Sequence, residues 1–550
     1  MKPAESRGVT GSKKIALAGS NRPEPEGAVY AGEVDPEQLI LITVYLKRRS
    51  PDKFQPGSAG DLARLSKPIT RRALAAQRCR THVHAAARIE QLAKKYGVAV
   101  RDIDLVGRTV MLQAPARLMM QIFGATLRIY DDGRRRFRAR VGQLTIPKEI
   151  APWTRAILGF DERPMEARPV GRLRALVGDA AGGGLWPTEI AALYGIPLDH
   201  DVSSVCVGII ALGGGYLETD LKEALRRMGR DAPVVIDKSV AVADPSVPQD
   251  DPPGEPEPVN QFGGGTAADQ EIALDLQILA GLLPKARIVV YFAGNSTQNL
   301  VGAINKALFD DVNRPQVISV SWGSAEKFWS VSARDAMQGV LADAKRLQVT
   351  VLFAAGDELA TGGLRDGKAH VWFPASSPYS LGCGGTLPTP GGDGTGVGSE
   401  IVWKEGLAGT GGGISDCFPV PDYQSSLALP KSVNDGALRR GVPDVAAAAA
   451  SRPGYRIVFN GAEVVKDGTS AAAPLWAGLI AIANAQRGAP LGFLNSVLYA
   501  NPSCFRAITT GDNRVGDKGY DAGPGWNACT GLGVPKGADI VAALAATPVA

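Results

Sequence analysis

The 550-residue chain is 45% hydrophobic and 21% charged, enough apolar material for a sizeable core. No uninterrupted apolar run reaches the ~18 residues of a membrane span, and the N-terminal MKPAESRGVTGSKK has no apolar signal-peptide core. The formal charge of +5 conceals a division: residues 1–186 carry 33 Lys/Arg against 18 Asp/Glu, and residues 187–550 carry 27 against 37.

Oppositely charged parts of one chain can bind each other. Length alone suggests about three or four domains, and large α/β domains lower that number. Residues 1–33 are polar and read as a flexible leader. A small α+β unit follows, with a strand at Leu39–Leu46, a helix over Arg71–Tyr96 and a strand over Leu105–Leu112. It ends near Pro164. The arginine run at 134–138 is too short to argue for a nucleic-acid partner. Residues 166–186 are rich in Arg, Gly and Ala and read as an exposed linker of the kind proteases cut.

Residues 187–550 read as one large α/β domain. Strands are predicted at Val205–Leu212, Ala286–Phe292, Gln316–Ser321 and Thr350–Ala355, alternating with helices. Residues 245–266 are rich in Pro, Gly and acid and read as a mobile surface loop. Gly213-Gly214-Gly215 lies between a strand and a helix at Thr219–Met228, but lacks the full dinucleotide fingerprint. The six cysteines form no CxxC pair, which argues against zinc; a Cys504–Cys529 bridge is compatible with their order but not established by spacing.

Chemistry concentrates around Ser470. It stands in Asp467-Gly468-Thr469-Ser470-Ala471-Ala472-Ala473-Pro474, at the start of a small-residue helix running to Ala483. A serine nucleophile needs a base, usually histidine. The chain has four histidines, none in a subtilisin-like motif. Glu271 and Asp275 are spaced i, i+4 among apolar neighbours, so a helix would place both carboxylates on one face. Asp357 follows a strand in Ala354-Ala355-Gly356-Asp357, at the sheet edge where ligands bind in α/β folds.

Taken together, these stretches resemble the sedolisin family of serine-carboxyl peptidases, kumamolisin-like members above all. The resemblance rests on Glu271-x-x-x-Asp275, Ser319-Val320-Ser321-Trp322-Gly323, Ala354-Ala355-Gly356-Asp357, Cys383-Gly384-Gly385-Thr386, Gly468-Thr469-Ser470 and Thr530-Gly531-Leu532-Gly533. Residues 34–165 resemble the family's basic prodomain, including Phe137-Arg138 and Ile146-Pro147.

The resemblance implies a subtilisin-like, doubly wound, mostly parallel sheet at 187–550, preceded by a small α+β prodomain that partners it in cis. It implies a self-processing, acid-acting endopeptidase on polypeptide substrates, and an extracellular location. Ser470 would be the nucleophile, Glu271 its base, Asp275 the acid orienting Glu271, and Asp357 the oxyanion donor. A carboxylate base, and a donor that must be protonated, both suit acid.

Four positions depart from the family. Its calcium site should have aspartates at Ala507 and Asn527, while the backbone positions at Ile508, Gly523 and Gly525 remain. Losing both carboxylates should weaken or abolish binding of a hard cation, unless Asp512, Asp517 or Asp521 compensates or Arg506 takes the space. Ala211 stands where some acid-active relatives have glutamate, and Glu358 where many have serine. A non-catalytic binding protein on the same scaffold is the alternative reading, and self-processing discriminates the two.

Overall fold

The computed structural model describes residues 13–47, 68–133, 135–165, 174–175, 183–240, 260–392 and 396–548. Residues 1–12 of the expected leader, most of the linker, and 245–259 of the expected mobile loop lie outside the described residues.

The N-terminal unit contains strands β1 (Lys14–Ala16), β2 (Val29–Glu33), β3 (Leu39–Leu46), β4 (Ala99–Asp104), β5 (Thr109–Pro115), β6 (Thr126–Asp131), β7 (Arg136–Val141), β8 (Thr145–Pro147) and β9 (Thr154–Leu158). Its helices are α1 (Arg71–Tyr96) and α2 (Ala116–Phe123). The main sheet is antiparallel in the order β4-β5-β3-β9. Ile40, Ile42 and Val44 alternate inward from β3 onto Ile89 and Leu92 of α1 and Ile122 and Phe123 of α2. The Thr70 hydroxyl caps α1 at its start, and Gly97, left-handed at φ 69°, ends it.

Two expectations change here. Residues 13–33 are not a free leader: β1 pairs with β8 and β2 with β6, and Leu17 is buried in the unit's core. These strands are short, are held by backbone pairing and remain largely exposed, which is why no core pattern marks them. The strand expected at Leu105–Leu112 begins only at Thr109. Asp104 accepts from the Gly107 N–H at 2.7 Å, and Arg108 adopts φ 60°, making a turn of the first four residues. In the arginine run, Arg138 is buried and donates to the carbonyls of Gly159 and Phe160, a structural role.

The second unit is built on an eight-stranded sheet. After the linker strand β10 (Arg174–Ala175), its strands are β11 (Cys206–Leu212), β12 (Val234–Ser239), β13 (Arg287–Ala293), β14 (Val317–Val320), β15 (Thr350–Ala354), β16 (Leu381–Pro390), β17 (Val397–Val402) and β18 (Val445–Ala448). Their order is β12-β13-β11-β14-β15-β16-β17, with β18 beside β16, and only β17 runs antiparallel. A hairpin of β19 (Tyr455–Phe459) and β20 (Ala462–Lys466) follows.

Helices cover both faces of this sheet: α3 (Glu218–Met228), α4 (Ala267–Leu282), α5 (Thr297–Leu308), α6 (Val331–Arg346), α7 (Thr469–Arg487) and α8 (Gly537–Ala545). Val207, Ile209 and Ala211 of β11 face α4 and α7, while Ile210 and Leu212 face α5 and α6. This is the doubly wound α/β arrangement, in which loops at the carboxyl ends of the strands form the working edge. The Gly213–Gly215 turn serves chain packing: a Cβ at Gly214 would meet the start of α4, and one at Gly215 would meet Asn260 and Phe262. Cys504 and Cys529 are both free thiols, so no bridge joins them.

The N-terminal unit docks on α5 and α6, the face opposite α4 and α7. Tyr45, Leu74, Ala156, Leu158 and Met165 join the apolar cluster of those helices. Gln298 donates to the Thr43 hydroxyl at 2.7 Å. Fully buried Asp343 receives Arg108 at 2.8 Å and also Arg78. The linker then returns to the other side. β10 pairs antiparallel with β20, and Arg456 holds the carbonyls of Gly183 and Gly184. The segment ahead of the second unit thus runs beside the strand that leads into Ser470.

Candidate active site

Ser470 is the second residue of α7 and is 5% exposed. The turn before it depends on Gly468, whose φ of 118° and ψ of 154° suit only glycine. Pro474 lies four residues beyond Ser470, inside the helix. It has no N–H to donate to the Ser470 carbonyl, which therefore remains open to another donor. That donor is Ser321, whose hydroxyl lies 3.3 Å from it.

Ser321 sits just past the end of β14 and connects the nucleophile to α4. Its hydroxyl is 2.9 Å from each oxygen of Asp275. The N-terminus of α4 is fixed by a capping box between Thr266 and Asp269, and Asp269 also receives the Gly215 N–H at 2.8 Å. One helical turn separates Glu271 from Asp275, and α4 is buried on all sides, so both carboxylates point into protein. Burial pushes the Glu271 carboxyl upward, opposed by the nearby Ser470 and Ser321 hydroxyls and the Lys466 ammonium, and reinforced by Asp357. Burial, and then the Glu271 charge, push Asp275 upward as well. Neither Glu271 oxygen makes a hydrogen bond of good geometry. The carboxylate is thus desolvated and lies beside the Ser470 and Ser321 hydroxyls.

Asp357 follows β15 at the same edge. Its Oδ1 accepts from the Thr469 N–H at 2.8 Å and the Thr469 hydroxyl at 2.7 Å, which anchors it to the nucleophile turn. Thr469 in turn accepts from the Gly356 N–H at 3.1 Å. Glu358 is buried and accepts from the Asp357 N–H at 3.3 Å, and so braces the backbone of that turn. Ala211 is buried in β11 and adds no polar group.

The structure gathers Ser470, Glu271, Asp275 and Asp357 at one sheet edge. It also adds three residues to which the sequence reading gave no role. Ser321 lay in a quoted motif, but its bridge spans 46 residues to Asp275 and 149 to Ser470, beyond any local pattern. Lys466 and Asp467 are adjacent ionisable residues that follow Val464-Val465 at the end of β20, and that placement was the available signal. Burial, with Asp357 and Glu405 nearby, pushes the Asp467 carboxyl up to about 7.

The expected calcium position is occupied differently. Asn527 Nδ2 donates to the carbonyls of Ile508 at 3.0 Å and Gly523 at 3.3 Å. Its Oδ1 accepts from the N–H groups of Cys529 and Thr530 and from the Thr530 hydroxyl. A donor aimed at those carbonyls takes a cation's place, and residue 507 is alanine. Asp512 is engaged by Lys404, Asp521 by Arg514 and Asp517 by Lys518, while Arg506 turns to Glu400. These residues do not fit a calcium ion. Among the described residues, no group of three or more His, Cys, Asp or Glu forms another candidate metal site.

Comparison with known proteins agrees with this architecture. Residues 26–163 match the pro-kumamolisin activation domain, beginning inside the stretch first read as leader, and residues 245–493 match the subtilase family. Fold and nucleophile turn therefore define a subtilisin-like serine peptidase with an activation domain. Kumamolisin of Bacillus sp. (strain MN-32) is 38% identical, across 97% of this chain and 96% of its own. Sedolisin of Pseudomonas sp. (strain 101) is 28% identical, across 89% and 83%. The solved structure of Pseudomonas sedolisin, a serine-carboxyl proteinase complexed with two molecules of pseudo-iodotyrostatin, superposes with a TM-score of 0.57 at 27% identity, covering 67% of this chain and 100% of that one. The chain belongs to the sedolisin family of serine-carboxyl peptidases.

Proposed function

We propose that this peptidase is an acid-acting endopeptidase made as a self-processing zymogen, working through an acyl-enzyme on Ser470. The observation that supports this best is Ser321, whose hydroxyl lies between the Asp275 carboxyl and the Ser470 backbone, beside a buried Glu271 that interacts with the Ser470 hydroxyl. As Ser470 Oγ bonds to the scissile carbonyl carbon, its proton passes to Glu271. Glu271 returns that proton to the leaving amine as the C–N bond breaks. Water then repeats the sequence to release the acyl group. Asp275 keeps Glu271 oriented and shares its proton, because two neighbouring buried carboxyls do not both ionise readily. Asp357, with Oδ1 fixed by Thr469, donates from its protonated form to the oxyanion alongside the Ser470 N–H.

Substrates are polypeptides, and the first is the chain's own linker. In this reading calcium has no part, because Asn527 braces the loop a cation would otherwise hold. The test is acidification of the full-length chain followed by N-terminal sequencing. Wild type should acquire a new N-terminus within about residues 165–190, whereas Ser470→Ala should remain intact. Processing of Ser470→Ala at the wild-type rate would refute the assignment.

A further inference from the structure

A carboxylate base in acid faces a physical difficulty. Burial raises Glu271, yet only the ionised form can take a proton from Ser470. Something inside the site must favour the anion. Carboxyl groups act on Glu271 from Asp275 on α4 and Asp357 after β15, and Asp467 and Glu405 interact with one another and Asp467 with Asp357. The hydroxyls of Ser470 and Ser321 help, but they carry no charge.

Lys466 brings a cation. It ends β20, where Val464 and Lys466 face inward on the same side of the strand, and it is 1% exposed. A lysine that merely packed its methylenes would carry its ammonium out to water. Instead Nζ donates to Gln270 Oε1 at 2.5 Å, and Gln270 is the residue directly before Glu271 on α4. Gln270 is itself held through Nε2 to the Gly265 carbonyl at 3.1 Å. The ammonium is thus steered to the start of the turn that presents the base.

We propose that Lys466 is a positioning residue whose buried ammonium offsets part of the burial penalty on Glu271, so that the base of Ser470 stays ionised to lower pH than it would without that cation. This rests on the assignment of Glu271 as base. Burial lowers Lys466 to about 8, so it remains charged throughout the acid range. The sign follows directly. A cation beside Glu271 lowers its pKa, and the acid limb of kcat/KM falls where Glu271 takes up a proton. Removing the cation moves that limb to higher pH.

The experiment compares pH profiles of kcat/KM on a peptide substrate for the processed wild type, Lys466→Met and Lys466→Arg. Lys466→Met keeps the length and the packing and should move the acid limb up by about one pH unit or more. Lys466→Arg keeps the charge and should move it much less. Gln270→Leu, which removes the Gln270 oxygen from the ammonium, should shift it in the same direction by a smaller amount. It stands in should Lys466→Met not fold. In the Ser470→Ala background, 13C NMR of labelled glutamate should show the Glu271 carboxyl titrating higher once Lys466→Met is added. A limb that stays put in Lys466→Met, or moves equally in Met and Arg, overturns the proposal. Wild-type activity in Glu271→Gln would instead overturn the base assignment, whatever Lys466 does.

Discussion

Asp343 and Asp275 are both essentially inaccessible aspartates, 0% and 1% exposed, and their surroundings differ in sign. Asp343, on α6, meets the guanidinium groups of Arg78 and Arg108 from the N-terminal unit. Asp275, on α4, meets a serine hydroxyl and a second carboxyl. The first is a compensated charge that fastens one unit to the other. The second is an uncompensated carboxyl whose proton affinity is raised, which makes it useful in proton transfer. The same side chain thus fastens two units on one face of the sheet and, in the mechanism we propose, assists the base on the other.

Substitutions can break that contrast, and the largest effect lies on the catalytic face. Glu271→Gln keeps shape and loses basicity, so kcat/KM for a peptide should fall about 10^4-fold while the fold is retained, as read by steady-state kinetics and circular dichroism. On the other face, Asp343→Ala leaves two buried arginines without their carboxylate. In the full-length Ser470→Ala chain it should cost about 3 kcal/mol at neutral pH, measured by denaturant unfolding.

Asp275→Asn should act in the opposite direction on stability. Its raised folded pKa means the folded state retains a proton that the unfolded chain releases, so ionisation penalises the fold as pH rises above about 4. Asparagine cannot ionise. The variant should therefore match its parent near pH 4 and gain about 1–2 kcal/mol at neutral pH, although activity is lost. A loss of stability that is independent of pH would remove the distinction between the two aspartates. The smallest effect concerns the calcium position. A chelator should leave the melting temperature unchanged, while Asn527→Ala should lower stability by about 1–2 kcal/mol, both read by thermal unfolding. Tight, stoichiometric calcium in the purified protein would contradict this.

Local pattern made much of this molecule legible. Helix α1 has the ends that its sequence predicts, the apolar strands of the parallel sheet fall within a residue or two of expectation, and the i, i+4 spacing put Glu271 and Asp275 on one helix. What stayed hidden depends on distant partners. β1 and β2 are short and mostly exposed, and become strands only because β8 and β6 offer them backbone edges. Ser321 acquires its place through a carbonyl that Pro474 leaves open on another helix. Lys466 follows Val464-Val465 as a lone basic residue at the end of β20, and only the fold brings its ammonium to Gln270 on α4.

Hydrolysis in acid depends on the identity of the base. The most direct measurement is the pH dependence of acylation by the processed wild type, followed in single turnovers between about pH 2 and pH 8. Activity confined to acid, with limbs set by carboxyl groups and unchanged when each histidine is replaced, is the predicted result. A rise through about pH 6.5 to a neutral plateau, abolished by replacing one histidine, would mean that an imidazole serves Ser470 and that the carboxyl pair does not.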